Sequence, residues 1–189
     1  MPVVHLLRHG AHGDVGHRLT GRLPDGGLTD EGRAQARSAA AAIAASPPSA
    51  IYASPCRRTL ETAAVFAEAF RLPVTQEPAL DELDFGNWAG KRFAELEKDP
   101  RWTEWNVHRS TARCPDGETM GEAQARALAF AFEAAARHSS PPVLVTHCDI
   151  IRALHCWSQR TSLDHIHAID CPPGSLSALD LAGERQVAA

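Results

Sequence analysis

The sequence predicts an α/β protein, a three-layer sandwich in which helices flank a mostly parallel central sheet. Three observations lead there. Short apolar runs of strand length, VVHLL at 3–7, AIYAS at 50–54, LPVTQ at 72–76 and PPVLVTH at 141–147, are set off by Gly, Pro or polar residues. Longer segments of helical spacing separate them, and strands alternating with helices build a parallel sheet covered on both faces. The 189 residues, 44% hydrophobic, form one sizeable core and therefore one domain, residues 1–189.

Each element has a local cause. After the first strand a glycine-rich loop runs from Gly10 to Leu28, long enough to suggest work at a site. Thr29 is placed to cap a helix with Asp30 and Glu31 in its first turn, and the alanine-rich run reaches Ser46 before Pro47 and Pro48 stop it. Following the second strand, CRRTLETAAVFAEAF brings Leu60, Ala64, Phe66 and Ala67 to one side of a helix. Beyond the third come a loop, LDELDFGNWAG, a helical stretch from Lys91 to Lys98, and a segment around Trp102 and Trp105. A long helix covers about Thr119 to His138, DIIRALHCW follows the fourth strand as a helix, and IHAIDCPPGSLSALDL gives one or two further strands.

Composition excludes several classes. No apolar run is long enough to span a membrane, and Arg8 interrupts the N-terminal run too early for a secretory signal, so a cytoplasmic protein is expected. A net charge of -4 with scattered arginines argues against nucleic acid as a partner. Cys56, Cys114, Cys148, Cys156 and Cys171 are odd in number and lack C-x-x-C spacing, which suggests reduced thiols. The DHIH run at 164–167 has no evident third metal ligand, and Trp88, Trp102, Trp105 and Phe93 are expected to pack together and not to stack on bases.

Ligands of such sheets sit beyond the carboxyl ends of the strands. Those positions hold Arg8 and His9, then Arg57 and Arg58, then Asp81, Glu82 and Asp84, then His147. Two arginines facing one pocket call for a dianion between them, and forked guanidiniums suit phosphoryl oxygens. A histidine among cations stays neutral and nucleophilic, which suits His9. A carboxyl group beside the dianion tends to keep its proton, which makes Glu82 a proton donor to a leaving alkoxide. His147, ahead of a helix start, adds to the phosphate cradle. Arg57 and Arg58 point about 100° apart on a helix, so only one enters the pocket, and Asp81 and Asp84 compete likewise with Glu82. A nucleophilic Cys148 would leave His9 and the arginines unexplained. No metal or cofactor is called for.

The blocks LLRHG at 6–10, GRLPDGGLTDEGRAQA at 21–36, YASPCRRTLETA at 52–63, LDELDFGNWAG at 80–90 and VLVTHCDIIRAL at 143–154 resemble, in order, the signatures of the histidine phosphatase superfamily, the phosphoglycerate mutase-like group. The pattern is most similar to small bacterial members, including α-ribazole phosphatase-like proteins. The resemblance implies phosphorylation of His9, with Arg8 beside it. It picks Arg58, four residues after Ser54, as the phosphate-binding arginine, Glu82 as proton donor and His147 as the second pocket histidine. It also implies a helical insertion at about 85–120 over the active site, with Arg22, Glu118 and Thr119 as substrate contacts, and it allows a homodimer, since dimers occur in the family. Ala11, His12 and Val15 replace polar residues that usually follow R-H-G, Gly27 replaces a proline, and Cys148 stands where glycine is common. The expected function is a metal-independent phosphomonoesterase that forms a phosphohistidine on a small phosphorylated metabolite. A cofactor-dependent phosphoglycerate mutase and a non-catalytic phosphate-binding module are the alternatives.

Overall fold

A computed structural model describes residues 2–182. Five strands, β1 (Val3–Arg8), β2 (Ile51–Ala53), β3 (Val74–Gln76), β4 (Val143–Thr146) and β5 (Leu176–Asp180), form one sheet in the order β3-β2-β4-β1-β5. All neighbours are parallel except β5, which pairs antiparallel with β1. The last strand of the sequence reading is therefore single, and residues 163–168 instead form a 3-10 turn capped by the Ser162 hydroxyl.

Side-chain alternation sorts the core into two layers. Leu7, Ile51, Ala53, Val143 and Val145 face α1 (Asp30–Ala42) and α2 (Arg57–Glu68), meeting Ala39, Ala40, Ala63 and Phe66. Val4, Leu6, Tyr52 and Leu144 face the opposite layer. There α5 (Met120–Arg137) presents Ala123, Ala127, Phe130, Ala131 and Ala134, and α6 (Cys148–Ser158) presents Ile150, Ile151 and Leu154. Helix starts follow the capping signals: the Thr29 hydroxyl accepts from the Gly32 N–H at 3.1 Å, and Thr119 and Glu122 form a reciprocal capping box. The first helix ends at Ala42, four residues before the expected stop at Ser46, with Ile43 as its C-cap.

Between β3 and α5 the expected helix over 91–98 shortens to α3 (Phe93–Leu96), because Asp99 and Pro100 begin a new one, α4 (Pro100–Val107). Trp88, Trp102, Trp105 and Phe85 pack edge to face or stacked, with Trp102 and Trp105 centroids 5.1 Å apart, so the tryptophans serve as core here. Among the described residues no helix is long and apolar enough to cross a membrane.

The loop leaving β1 is clamped by backbone. Thr29 N–H donates to the Ala11 carbonyl at 3.0 Å and Ala11 N–H to the Gln35 side chain at 2.9 Å. This contact brings Gly10 and Ala11 so close to α1 that a Cβ on Gly32 would overlap the Ala11 carbonyl, and one on Gly10 would overlap the Gly32 carbonyl. The sequence meets this with glycine on both sides. Gly32→Ala gains about 1 kcal/mol of helix preference but forces backbone apart, and overpacking of this kind costs about 2 to 3 kcal/mol. Urea unfolding is expected to show a net loss of about 1 to 2 kcal/mol, with the midpoint lowered.

Candidate active site

Three adjacent parallel strands, β2, β4 and β1, end at the same edge of the sheet and deliver Ser54, His147 and His9 side by side. His9 extends the β1 ladder, its N–H donating to the Thr146 carbonyl at 3.0 Å, and its ring is 4% exposed. Nδ1 lies 2.9 Å from the Gly10 carbonyl. A carbonyl can only accept, so Nδ1 carries the hydrogen and Nε2 keeps a free lone pair. Burial, followed by the charge of Arg58, holds the His9 pKa well below its ordinary value, and the Gly10 bond only partly opposes this.

Arg58 sits in the first turn of α2, which contains Arg57 and no acidic residue. Cations there oppose the helix dipole, and an anion is what that end attracts. The guanidinium is 2% exposed. It donates to Asp25 Oδ2 at 2.9 Å, the Gly21 carbonyl at 2.6 Å and His147 Nδ1 at 2.9 Å. Arg57, by contrast, is 61% exposed and pairs with Glu61, so the two arginines separate as their helix spacing requires.

Because Arg58 has only hydrogens to offer, His147 Nδ1 must accept. Its Nε2–H therefore donates to Ser54 Oγ at 2.8 Å, and the Ser54 hydroxyl donates to Asp81 Oδ1 at 2.6 Å. His147 and His9 thus hold opposite tautomers with ring centroids 5.3 Å apart. Burial and the Arg58 charge also keep His147 well below its ordinary pKa. Cys56, Asp81 and His147 have potential metal-ligand atoms within 4.8 Å of one another, but the Ser54 hydroxyl already bridges two of the three.

Glu82 is 8% exposed and takes the Leu83 N–H at 3.0 Å. Burial first and the Asp149 charge second push its carboxyl up to about 7, against the pull of Arg58 and Arg8. Arg8 donates to the Cys171 carbonyl, and its Nε is buried without a partner, as are Arg58 Nε and Thr20 Oγ1. Arg8, His9, Arg58, Glu82 and Thr20 line one cavity of about 280 Å³. Its outer wall comes from Phe93, Trp102, Asn106, Arg109, Asp149 and Arg152.

The structure thus brings together five of the expected side chains, His147 bordering the cavity through Arg58. The three expected substrate contacts, Arg22, Glu118 and Thr119, have protein partners of their own. Arg22 donates to the Glu82 carbonyl at 2.8 Å and to Glu118 at 2.8 Å, Glu118 also binds Arg126, and Thr119 caps α5. None of the three lines this cavity. Arg22 and Arg126 hold the Glu82 carbonyl and Glu118 takes the Asp84 N–H, so these paired charges brace the backbone around Glu82, while Thr119 serves only the start of α5. Sequence reasoning missed Asp25, whose side chain is 1% exposed against Arg58. The only sequence cue was its place in a loop already expected to matter. It missed Arg109 and Asp149 as well, paired at 2.9 Å, with the Arg109 guanidinium 3.8 Å above the Trp105 ring.

With this geometry in place, comparison with known proteins is direct. The family described as histidine phosphatase superfamily (branch 1) matches residues 4–189. The chain belongs to the histidine phosphatase superfamily. Phosphoserine phosphatase 1 of Hydrogenobacter thermophilus is 30% identical over 168 residues, covering 87% of this chain and 80% of the relative. A probable phosphoglycerate mutase, GpmB, of Proteus mirabilis is 32% identical over 148 residues, covering 76% and 68%. Among solved structures, mycobacterial glucosyl-3-phosphoglycerate phosphatase in complex with VO3 superposes with a TM-score of 0.83 at 26% identity, covering 94% of this chain and 92% of that one.

The opposed tautomers can be read directly. Long-range 15N NMR on the free protein at pH 7 is expected to show His9 protonated at Nδ1 and His147 at Nε2, both neutral. A cationic His9, or Nδ1–H on His147, would contradict the hydrogen-bond order given above.

Proposed function

We propose that the protein is a phosphomonoesterase working through a phosphohistidine on a small phosphorylated substrate, with no step that needs a metal. The single observation that carries this reading is the His9 ring, buried among arginines with its Nδ1 tied to Gly10 and its Nε2 free. Arg8 and Arg58 each keep an unpartnered Nε, and Thr20 keeps its hydroxyl, so the pocket has polar atoms for the dianion. Nε2 of His9 attacks phosphorus in line with the leaving oxygen, and the P–O bond breaks as the P–N bond forms. Glu82, protonated below about 7, gives its proton to the departing alkoxide. It then takes a proton from the water that cleaves the P–N bond, returning His9 to its starting state.

His147 supports the charge on the equatorial oxygens. When phosphate draws Arg58 away from Nδ1, that nitrogen becomes free to carry a proton toward the phosphate. The Ser54–Asp81 relay then accepts on the other side, stabilising the imidazolium. A mutase uses the same steps but returns the phosphoryl group to a second hydroxyl, so it stays the second reading; relatives of both kinds match this chain.

The outer wall gives the leaving group a character. Arg109 and Arg152 share one carboxylate, Asp149, at 2.9 and 4.0 Å. That leaves a net cation facing the cavity, and Arg109 Nε is buried without a partner. We infer a leaving group that bears a carboxylate, a feature consistent with relatives named for phosphoserine and glucosyl-3-phosphoglycerate.

His9→Ala in excess chelator is expected to abolish release of phosphate from an aryl phosphate while the fold survives; full activity in that variant would end the proposal. For wild type, kcat/KM on an alkyl phosphate is expected to fall with unit slope as pH rises above about 7, because the Glu82 proton is lost there. His9 stays neutral to well below 6.5, so the ring adds no acid limb near that value, and a fall on the acid side follows the second ionisation of the phosphate ester, at about 6. Glu82→Gln removes the alkaline limb and lowers the alkyl rate by about 10²- to 10⁴-fold. Aryl phosphates, whose leaving group needs little protonation, should lose far less. Arg152→Met is expected to raise KM for phosphoserine about tenfold, the scale of one charge-assisted bond, and to leave phosphoethanolamine unchanged. An equal loss on both would remove the carboxylate assignment.

A further inference from the structure

Three imidazoles meet around the cavity. His12 and His147 stand at almost equal separations from His9, with ring centroids 5.2 and 5.3 Å from its own. The three rings differ in what their nitrogens offer. His9 presents a lone pair, and both nitrogens of His147 are engaged, by Arg58 and by Ser54. In His12 only one nitrogen is taken: Nδ1 accepts the Asp14 N–H at 3.4 Å, and a backbone N–H can only donate. Nε2 therefore carries the hydrogen, and among the described residues it has no partner. We propose that His12 is a third catalytic histidine of this pocket, donating its Nε2–H to a non-bridging phosphoryl oxygen as the group passes to and from His9.

The loop leaves this work to one residue. Of residues 11–16, His12, Val15 and Gly16 line the cavity, and His12 alone brings a polar side chain. It stands where the chain departs from the family pattern, so the donor is a feature of this sequence. Its backbone is held on both sides. His12 bridges Leu28 beside the bond that ties Ala11 to Thr29, and its own carbonyl takes the Val15 N–H at 3.2 Å. The ring is buried, 8% exposed. A donor fixed in this way before substrate enters needs no reorganisation when charge shifts during the reaction.

Reach agrees with the assignment. An attacking atom stands about 3 to 3.5 Å from the atom it attacks. A phosphoryl group so placed on His9, beside a ring only 5.2 Å away centre to centre, presents an oxygen to the edge of His12. The surrounding charges suit a neutral donor. Burial first and the Arg58 charge second hold His12 below its ordinary pKa, against the pull of Asp25 and Asp14.

His12 and His147 then divide the task. His147 can donate only after phosphate has drawn Arg58 from its Nδ1, whereas the His12 hydrogen is ready in the free protein. No proton changes hands at His12: the hydrogen stays on Nε2, and its bond to the oxygen strengthens as charge spreads over the equatorial oxygens. The inference rests on the phosphatase reading for the identity of the group transferred.

The test compares two variants with wild type on an aryl phosphate, titrates each with vanadate, and follows the wild-type histidines by 15N NMR. His12→Phe keeps a ring but has no donor; kcat is expected to fall about 10²-fold or more, with KM changed less and vanadate affinity weakened in step with kcat. His12→Gln sets an N–H close to the Nε2 position and is expected to recover about tenfold of that loss. In wild type the His12 Nε2–H signal is expected to shift when vanadate or inorganic phosphate is added. Wild-type kcat in His12→Phe, no recovery in His12→Gln, or an Nε2–H signal unmoved by vanadate would overturn the assignment. The NMR arm needs no turnover, so a His12 signal that moves with vanadate in a protein that hydrolyses no ester counts against the phosphatase reading and not against His12 as a phosphoryl-oxygen donor.

Discussion

A buried guanidinium governs this site. Removing Arg58 from water costs several kcal/mol unless partners replace the hydration, and breaking such a pair costs about 3 to 5 kcal/mol. Here Asp25 supplies the countercharge, the Gly21 carbonyl a second acceptor and His147 a third. Two of these partners lie in the long loop after β1. The cation therefore explains why that loop is closed over the sheet edge, its course fixed further by backbone bonds from Leu19 and Gly90. The same charge lowers the pKa of His9, His12 and His147 together, after burial.

Neutral imidazoles with a fixed hydrogen-bond order follow from that constraint. Gly10 can only accept and Arg58 can only donate, so each ring has one nitrogen decided for it. Geometry thereby sets chemistry before any substrate enters: His9 presents a lone pair, and His147 presents a nitrogen that gains its proton only when the arginine turns to another anion. The glycine contact between the β1 loop and α1 belongs to the same arrangement, because a longer distance there would move the Gly10 carbonyl off His9.

Much of this was legible in the sequence for a physical reason. Arg8, His9, Arg58 and His147 stand at strand ends or in the first helical turn after one, and period-two and period-3.6 patterns locate those ends. Arg58 could be told from Arg57 by the resemblance, and the structure separates them by burial. What was hidden depends on distance across the chain. Asp25 and Arg58 are far apart in sequence, and so are Arg109 and Asp149; no local periodicity records either pair. Arg22, Glu118 and Thr119 were read as outer contacts because they carry polar groups near matched motifs, and the Arg22–Glu118 pair, distant in sequence, was equally hidden. The helix expected over 91–98 broke because an Asp-Pro pair restarts a helix more strongly than the preceding residues prolong one.

Asp149 joins the outer wall to the proton donor. Its charge helps keep the Glu82 carboxyl protonated, while Arg109 and Arg152 neutralise it against the upward push of burial. On the carboxylate reading, a leaving group that draws either arginine away uncovers the Asp149 charge, and the carboxylate and phosphate add two further negative centres near Glu82. All three changes act in one direction, holding the proton on Glu82 until the alkoxide is basic enough to take it. A substrate without the second anion exerts only the phosphate's share of that effect. Selectivity would then enter through the acid as well as through binding, so that the wall supplied by residues between Phe93 and Arg109 contributes to turnover without touching phosphorus.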